Sequence, residues 1–167
     1  MIKIEDYFCD KSLNEIILSE NIDNSKTCGV DKISSKKLLE NKDKIIKGII
    51  GNVLTGNYKF APYKINLILK APDVPPRTTC IPTIKDKIVI ATIKKYLYDC
   101  YPDITLNISA NTIARETIKI KEKSRFDFFI KIDITDFFGS IDQELLIEIL
   151  KKKIHDKIVI KLIKEMI

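Results

Sequence analysis

One short run constrains this chain more than any other. Phe128-Phe-Ile-Lys-Ile-Asp133 is apolar and aromatic, which favours a strand, and it ends in a carboxylate. Apolar Phe128, Phe129, Ile130 and Ile132 predict a strand covered on both faces rather than one facing water. Such a strand needs neighbours. The sequence offers only one other good strand, residues 63–71, where Ile65, Leu67 and Leu69 alternate with Lys64, Asn66, Ile68 and Lys70, with one imperfect step. Pro72, Pro75 and Pro76 then make a stiff bend.

Helices account for most of the rest. Residues 12–22 and 35–54 carry apolar side chains at helical spacing, the second capped by Ser34 or Ser35 and ended by Gly56-Asn57. Residues 84–99 form a helix stopped by Pro102. Residues 111–122 read both ways: Ile118-Lys-Ile-Lys alternates like a strand, while Ala114-Arg-Glu prefers helix. Helices over 142–154 and 156–167 complete the chain, the first behind a capping-box pattern, Ser140-Ile-Asp-Gln143. The fold class is α+β, with helices outnumbering strands.

Composition excludes several classes. Lys+Arg 29 against Asp+Glu 23 gives a net charge of +6, nearly all of the basic side being lysine, since the arginines are Arg77, Arg115 and Arg125. That balance points weakly to a polyanionic partner, a solvated lysine surface being the default. No apolar run reaches the length of about 18 residues that a membrane span needs, and the N-terminus lacks the apolar region of a signal peptide, so a cytoplasmic protein with no membrane partner is expected. Cys9, Cys28, Cys80 and Cys100 form no C-x-x-C pair and read as free, mostly buried thiols. The lone His155 reads as a surface residue.

The chemistry concentrates in Phe129-Ile-Lys-Ile-Asp133-Ile-Thr-Asp136-Phe137-Phe138-Gly-Ser140-Ile141-Asp142. A carboxylate at the end of a buried strand is held rigidly at a surface, which suits a divalent cation. Magnesium favours one or two carboxylates plus phosphate oxygens. Two such ions clamp the attacking and leaving oxygens of a phosphoryl transfer. Taken alone, a strand ending in Asp before a helix cap is a common structural feature.

The whole string resembles motif A of reverse transcriptases, Asp-Ile-x-x-Phe-Phe-x-x-Ile, as in the bacterial group II intron-like and retron-like enzymes. Lys26-Thr-Cys-Gly29-Val-Asp31 looks like their Lys-x-x-Gly-x-Asp element, and the helix ending in Gly56-Asn-Tyr58-Lys-Phe-Ala-Pro62 is similar to their Leu-x-x-Gly-x-Tyr-x-x-x-Pro segment. Ile81-Pro82-Thr-Ile-Lys-Asp86-Lys87-Ile-Val looks like their Ile-Pro-x-x-x-Asp-Arg-Ile-Val block, with Lys87 replacing the usual arginine. These elements follow in the family's order over residues 26–142. One segment departs: Asn107-Ile-Ser109-Ala-Asn111-Thr keeps a serine but loses the family's aromatic-glycine element.

The resemblance implies a right-hand polymerase: fingers and connecting helices over 1–125, and the first strand and helices of the palm over 126–167. It implies Asp133 as the catalytic carboxylate and, with the backbone carbonyl of Ile134, as a ligand to one of two magnesium ions. It places Lys70 and Arg77, seven residues apart across the proline bend, on a β-hairpin finger that folds both over a deoxynucleoside triphosphate. Asp136 stands either near the phosphates or in solvent. Phe138 lies under the nucleotide sugar, where its ring disfavours a 2′-hydroxyl, and Phe137 is grouped with it at the nucleotide, ordinary core packing being the other reading and suiting Phe137 better than Phe138. Lys85, Lys87, Lys94 and Lys95 either track an RNA template and DNA primer or form a plain solvated face.

The family's Tyr-x-Asp-Asp motif is not in this sequence, nor is any adjacent Asp-Asp pair. The resemblance therefore covers the front of an enzyme. The chain alone is expected to be inactive, and to self-associate or depend on the polypeptide half that carries the missing carboxylates. Two other readings stand beside it: a non-catalytic nucleic-acid-binding remnant, and a template-independent or protein-primed defence polymerase.

Overall fold

Residues 84–99, a helix by their sequence, become the centre of the molecule. In the computed structural model, which describes residues 2–69, 75–103, 110–123, 130 and 132–167, helix α5 spans Ile84–Cys100. Its buried residues, Ile84, Ile88, Val89, Ile93 and Tyr96 among them, lie on more than one face, as a helix enclosed by others requires. Before it come α1 (Ile4–Tyr7), α2 (Asp10–Ser19), a 3-10 turn at Ile22–Asn24, α3 (Ser35–Glu40), α4 (Lys42–Leu54), β1 (Lys64–Ile68) and β2 (Arg77–Ile81). After it come α6 (Ala110–Lys123), α7 (Gln143–Lys151) and α8 (Lys157–Met166). One apolar cluster joins Ile4, Leu13 and Ile46 from the front of the chain to Ile88, Ile147 and Leu162 further on. Thus α5 is packed by α1, α2, α4 and α8.

Several elements differ from the sequence reading, each for a local reason. Helix 12–22 ends at Ser19, because Asn21 takes a left-handed conformation (φ 53°) before the 3-10 turn. The helix expected over 35–54 is two helices broken at Asn41, whose backbone leaves helical geometry (φ −123°, ψ 22°). The Asn41 Nδ2 donates to the Lys37 carbonyl at 3.2 Å, the kind of local side-chain bond by which Asn competes with a helix ladder. Ser34 does cap α3, accepting from the Lys37 N–H. Gly56 ends α4 with a left-handed φ of 69°, and Asn57 N–H reaches back to the Asn52 carbonyl at 2.8 Å.

The strand expected over 63–71 is shorter, and its partner is Arg77–Ile81, a segment with no apolar alternation of its own. The two pair antiparallel from Lys64↔Ile81 to Ile68↔Arg77. The alternation in β1 does not bury one face: Ile65 is 65% and Leu67 59% exposed. A two-stranded ribbon has no third layer to cover it.

The ambiguous stretch over 111–122 is helical. Residues 128, 129 and 131 of the expected strand 128–133 lie outside the described residues. Its remaining positions, Ile130 and 132–133, are in no strand, and Ile130 and Ile132 are 75% and 86% exposed rather than covered. A ladder needs partners for its backbone groups, and among the described residues the two strands pair with each other. Helix α7 is capped by Asp142, which accepts from Glu144 and Leu145 N–H at 2.9 and 3.0 Å. Ser140 plays no part in that cap; its hydroxyl donates to the Phe137 carbonyl. Asp156 caps α8 in the same way. The thiols are less buried than expected: Cys100 is buried, Cys9 and Cys28 are half-buried and Cys80 is exposed. No described helix is long and apolar enough to cross a membrane.

Candidate functional site

Three sequence elements far apart in the chain meet at the first turn of α5. The turn is set by Thr83, whose Oγ1 accepts the Asp86 N–H at 3.2 Å and donates to Asp86 Oδ2 at 2.6 Å. The Asp86 carboxylate is only 2% exposed. It also accepts the Tyr58 hydroxyl at 2.8 Å and the Ala61 N–H at 3.3 Å. Burial, and then the adjacent Asp86 charge, push the Tyr58 phenol well above its ordinary range. Asp86 therefore holds the chain just before β1 to the chain just after β2.

The 25–31 element docks on the same turn. A Cβ at Gly29 would stand 2.6 Å from Thr83 Cα and 2.7 Å from its N, so only glycine lets these backbones approach. Lys87 Nζ donates to Ser25 Oγ at 2.7 Å, Thr27 Oγ1 at 2.8 Å and the Thr27 carbonyl at 3.1 Å. Burial pulls the Lys87 amine below its ordinary value. Lys87 thus ties the first turn of α5 to the 25–27 segment. The other lysines grouped with it diverge too. Lys94 pairs with Glu20 at 2.9 Å and lies over the Tyr98 ring at 5.8 Å, and Lys95 faces Glu15 at 3.8 Å. Lys85 remains, exposed and without an ion pair among the described residues.

This base carries the β1–β2 hairpin. Arg77 opens β2, exposed, opposite Ile68. Lys70, its expected companion, lies outside the described residues.

The Asp133 segment is built differently. Asp133 and Asp136 are exposed, as is Ile134 at 62%. Residues 135–140 form a tight turn in which Asp136 takes a left-handed φ of 48° and its carbonyl accepts the Ser140 N–H at 3.0 Å. A Cβ at Gly139 would meet the Asp136 carboxylate, the end of an exposed side chain that can swing aside. The Phe137 and Phe138 rings meet edge to face at 5.3 Å and are 50% and 85% exposed. Phe137 therefore does not pack in the core as expected. Asp133 makes no hydrogen bond to another described residue.

These residues do not by themselves fit a two-ion magnesium centre. Among the described residues, no group of three or more His, Cys, Asp or Glu side chains is placed to hold a metal ion. Magnesium releases its water reluctantly, and one exposed carboxylate is a weak ligand set.

Sequence reasoning quoted Tyr58 and Asp86 but gave them no role, because residues so far apart show no spacing signal. It also missed Lys37 and Lys44, which lie beside Lys85. Their signal was present: positions 37, 41, 44, 48 and 52 recur every three to four residues. No family model matches the chain, and no curated protein matches it.

Proposed function

We propose that this chain is the front part of an RNA-directed DNA polymerase, with fingers over 1–125 and the start of the palm over 126–167. The observation that carries the reading is the convergence at α5. The Lys26–Asp31, Gly56–Pro62 and Ile81–Val89 elements stand apart in the sequence. They interlock through Gly29, Asp86 and Lys87 into a base for a hairpin bearing Arg77. Elements that carry a resemblance only by accident have no reason to meet.

In this reading Arg77 and Lys70 fold over the triphosphate of a deoxynucleotide, arginine forking two phosphate oxygens and lysine acting as a point charge. Phe138 limits the space at the sugar, and Asp136 stands near the phosphates. Asp133, with the Ile134 carbonyl, gives one share of a magnesium-binding set whose other carboxylates come from a Tyr-x-Asp-Asp segment of further polypeptide. The described residues do not make that site alone, so no step is assigned to the ion. Template RNA and primer DNA are the proposed partners, and the chain by itself does not extend a primer.

The test is RNA-templated extension of a DNA primer after co-expression with the coding sequence that follows this one. Incorporation that falls to background in Asp133→Ala, and a raised KM for deoxynucleotide in Arg77→Ala, support the reading. Incorporation indifferent to Asp133→Ala overturns it. A second reading, a non-catalytic nucleic-acid-binding module, is favoured by the gathering of Lys37, Lys44 and Lys85 in one groove. It predicts salt-dependent RNA binding that Asp133→Ala leaves unchanged.

A further inference from the structure

Helix α7 is apolar on two opposite faces. Ile147 and Leu150 turn one face inward, where α7 packs on α8. Leu145 and Ile149 lie on the other, 53% and 48% exposed. Residues four apart share one side of a helix, so these two make a single stripe, and Ile141 stands exposed just before it. Helix α6 has a stripe of its own. Ile113, Thr117 and Ile120 recur at i, i+4 and i+7, and all three are exposed. Thr117 Oγ1 donates to the Ile113 carbonyl at 2.8 Å, so the stripe carries no unpaired donor. A helix of 14 residues is marginal in water by itself and owes its stability to packing of an apolar face. The charges beside the two stripes match as well. Glu144 and Glu148 flank the α7 stripe on one side, with Lys151 further along, and none of the three makes an ion pair among the described residues. Glu116 and Lys119 flank the α6 stripe and pair with each other at 2.7 Å on the surface, a weak contact that exchanges partners at little cost.

We infer that α6 docks on the exposed stripe of α7, antiparallel to it and within one chain. Ile120 then packs beside Leu145, and Ile149 packs between Ile113 and Thr117. That register sets Lys119 between Glu144 and Glu148 and brings Glu116 to Lys151. Opposite charges therefore select both the occupant and its direction. The chain between Lys123 and Gln143 is long enough for the return, since each residue reaches about 3.3 Å. The docking does not rest on the polymerase reading, because both stripes exist whatever the chain does. Within that reading it joins the helix before Asp133 to the helix after it.

Amide hydrogen exchange of the full chain, read by mass spectrometry, tests the docking. The amides of α6 should be protected about ten-fold or more beyond those of a peptide of the same sequence. Leu145→Asp/Ile149→Asp should return α6 to the peptide's rates while α2 and α5 keep theirs, because both substituted positions are exposed. Lys119→Glu should lower the protection of α6, and Glu148→Lys added to it should restore the protection. A pair of charge reversals that leaves α6 unprotected would overturn the antiparallel register. Wild-type α6 exchanging at the peptide's rates, or protection that Leu145→Asp/Ile149→Asp leaves intact, would overturn the inference as a whole. So would protection that fades on dilution together with a dimer in light scattering, since α6 would then lie on a second copy.

Discussion

Asp86 and Asp133 both sit in segments that resemble a polymerase, and the molecule treats them oppositely. Asp86 is buried, and its carboxylate takes up hydrogens from Tyr58, Ala61 and Thr83. Asp133 is exposed and bonds to no other described residue. The same contrast holds for their neighbours. Gly29 and Lys87 are locked against backbone and hydroxyl groups, whereas Ile132 and Phe138 stand in solvent. Packing and hydrogen bonding account for the residue types of the first region, and the fold makes little use of those in the second. The two segments thus divide into one that builds the platform and one that the described fold leaves exposed.

The sharpest way to break this division is Asp86→Ala. It leaves a buried hydroxyl pair and a backbone N–H without their acceptor. Stability should fall by about 3 kcal/mol, read as a lower denaturant midpoint in urea unfolding. A loss below about 1 kcal/mol would mean that the first turn of α5 is not the lock described here.

Gly29→Ala comes next. Its Cβ meets Thr83 backbone, which cannot rotate away, so about 2 kcal/mol of strain is expected on the same assay. Gly51→Ala is the matched control. A Cβ there meets nothing within 4 Å, and it should hold or raise stability.

A smaller effect reads the same region through pH. The Tyr58 phenol is raised in the folded state by burial and the Asp86 charge. Its contribution to stability is therefore complete below the unfolded tyrosine value of about 10 and is lost as pH rises above it. Tyr96, pushed up to about 12 mainly by burial, adds to the same alkaline loss. The urea midpoint should drop as pH rises above about 10, and less steeply in Tyr58→Phe. An equal slope in the variant would remove Tyr58 from the account.

How much of this was legible in the sequence follows the same division. The helical segments, Gly56 as a stop and Ser34 as a cap rest on local rules, and they hold. Asn41 broke a helix that apolar spacing alone made continuous, because a side-chain amide bonding to the Lys37 carbonyl leaves no trace in the hydrophobic pattern. A hairpin carrying Arg77 is expected from the resemblance alone, because Arg77-Thr-Thr-Cys-Ile81 has no apolar alternation; its pairing comes from its partner and its register. The lysines of α5 looked alike as a string. Only the fold shows that Lys87 points into the 25–27 segment while Lys85 faces the groove. Asp133 was found by resemblance, and nothing in its described surroundings would have singled it out.

The smallest expected change belongs to the exposed segment. Asp133→Ala and Phe138→Ser should each alter stability by no more than about 0.5 kcal/mol, because neither side chain is buried. That near-silence makes the decisive measurement possible. RNA-templated primer extension, with the chain completed by the polypeptide that supplies Tyr-x-Asp-Asp, is compared for wild type and Asp133→Ala at matched melting temperature. The account predicts extension by the wild type and background incorporation by the variant. Equal extension by the two proteins would contradict it.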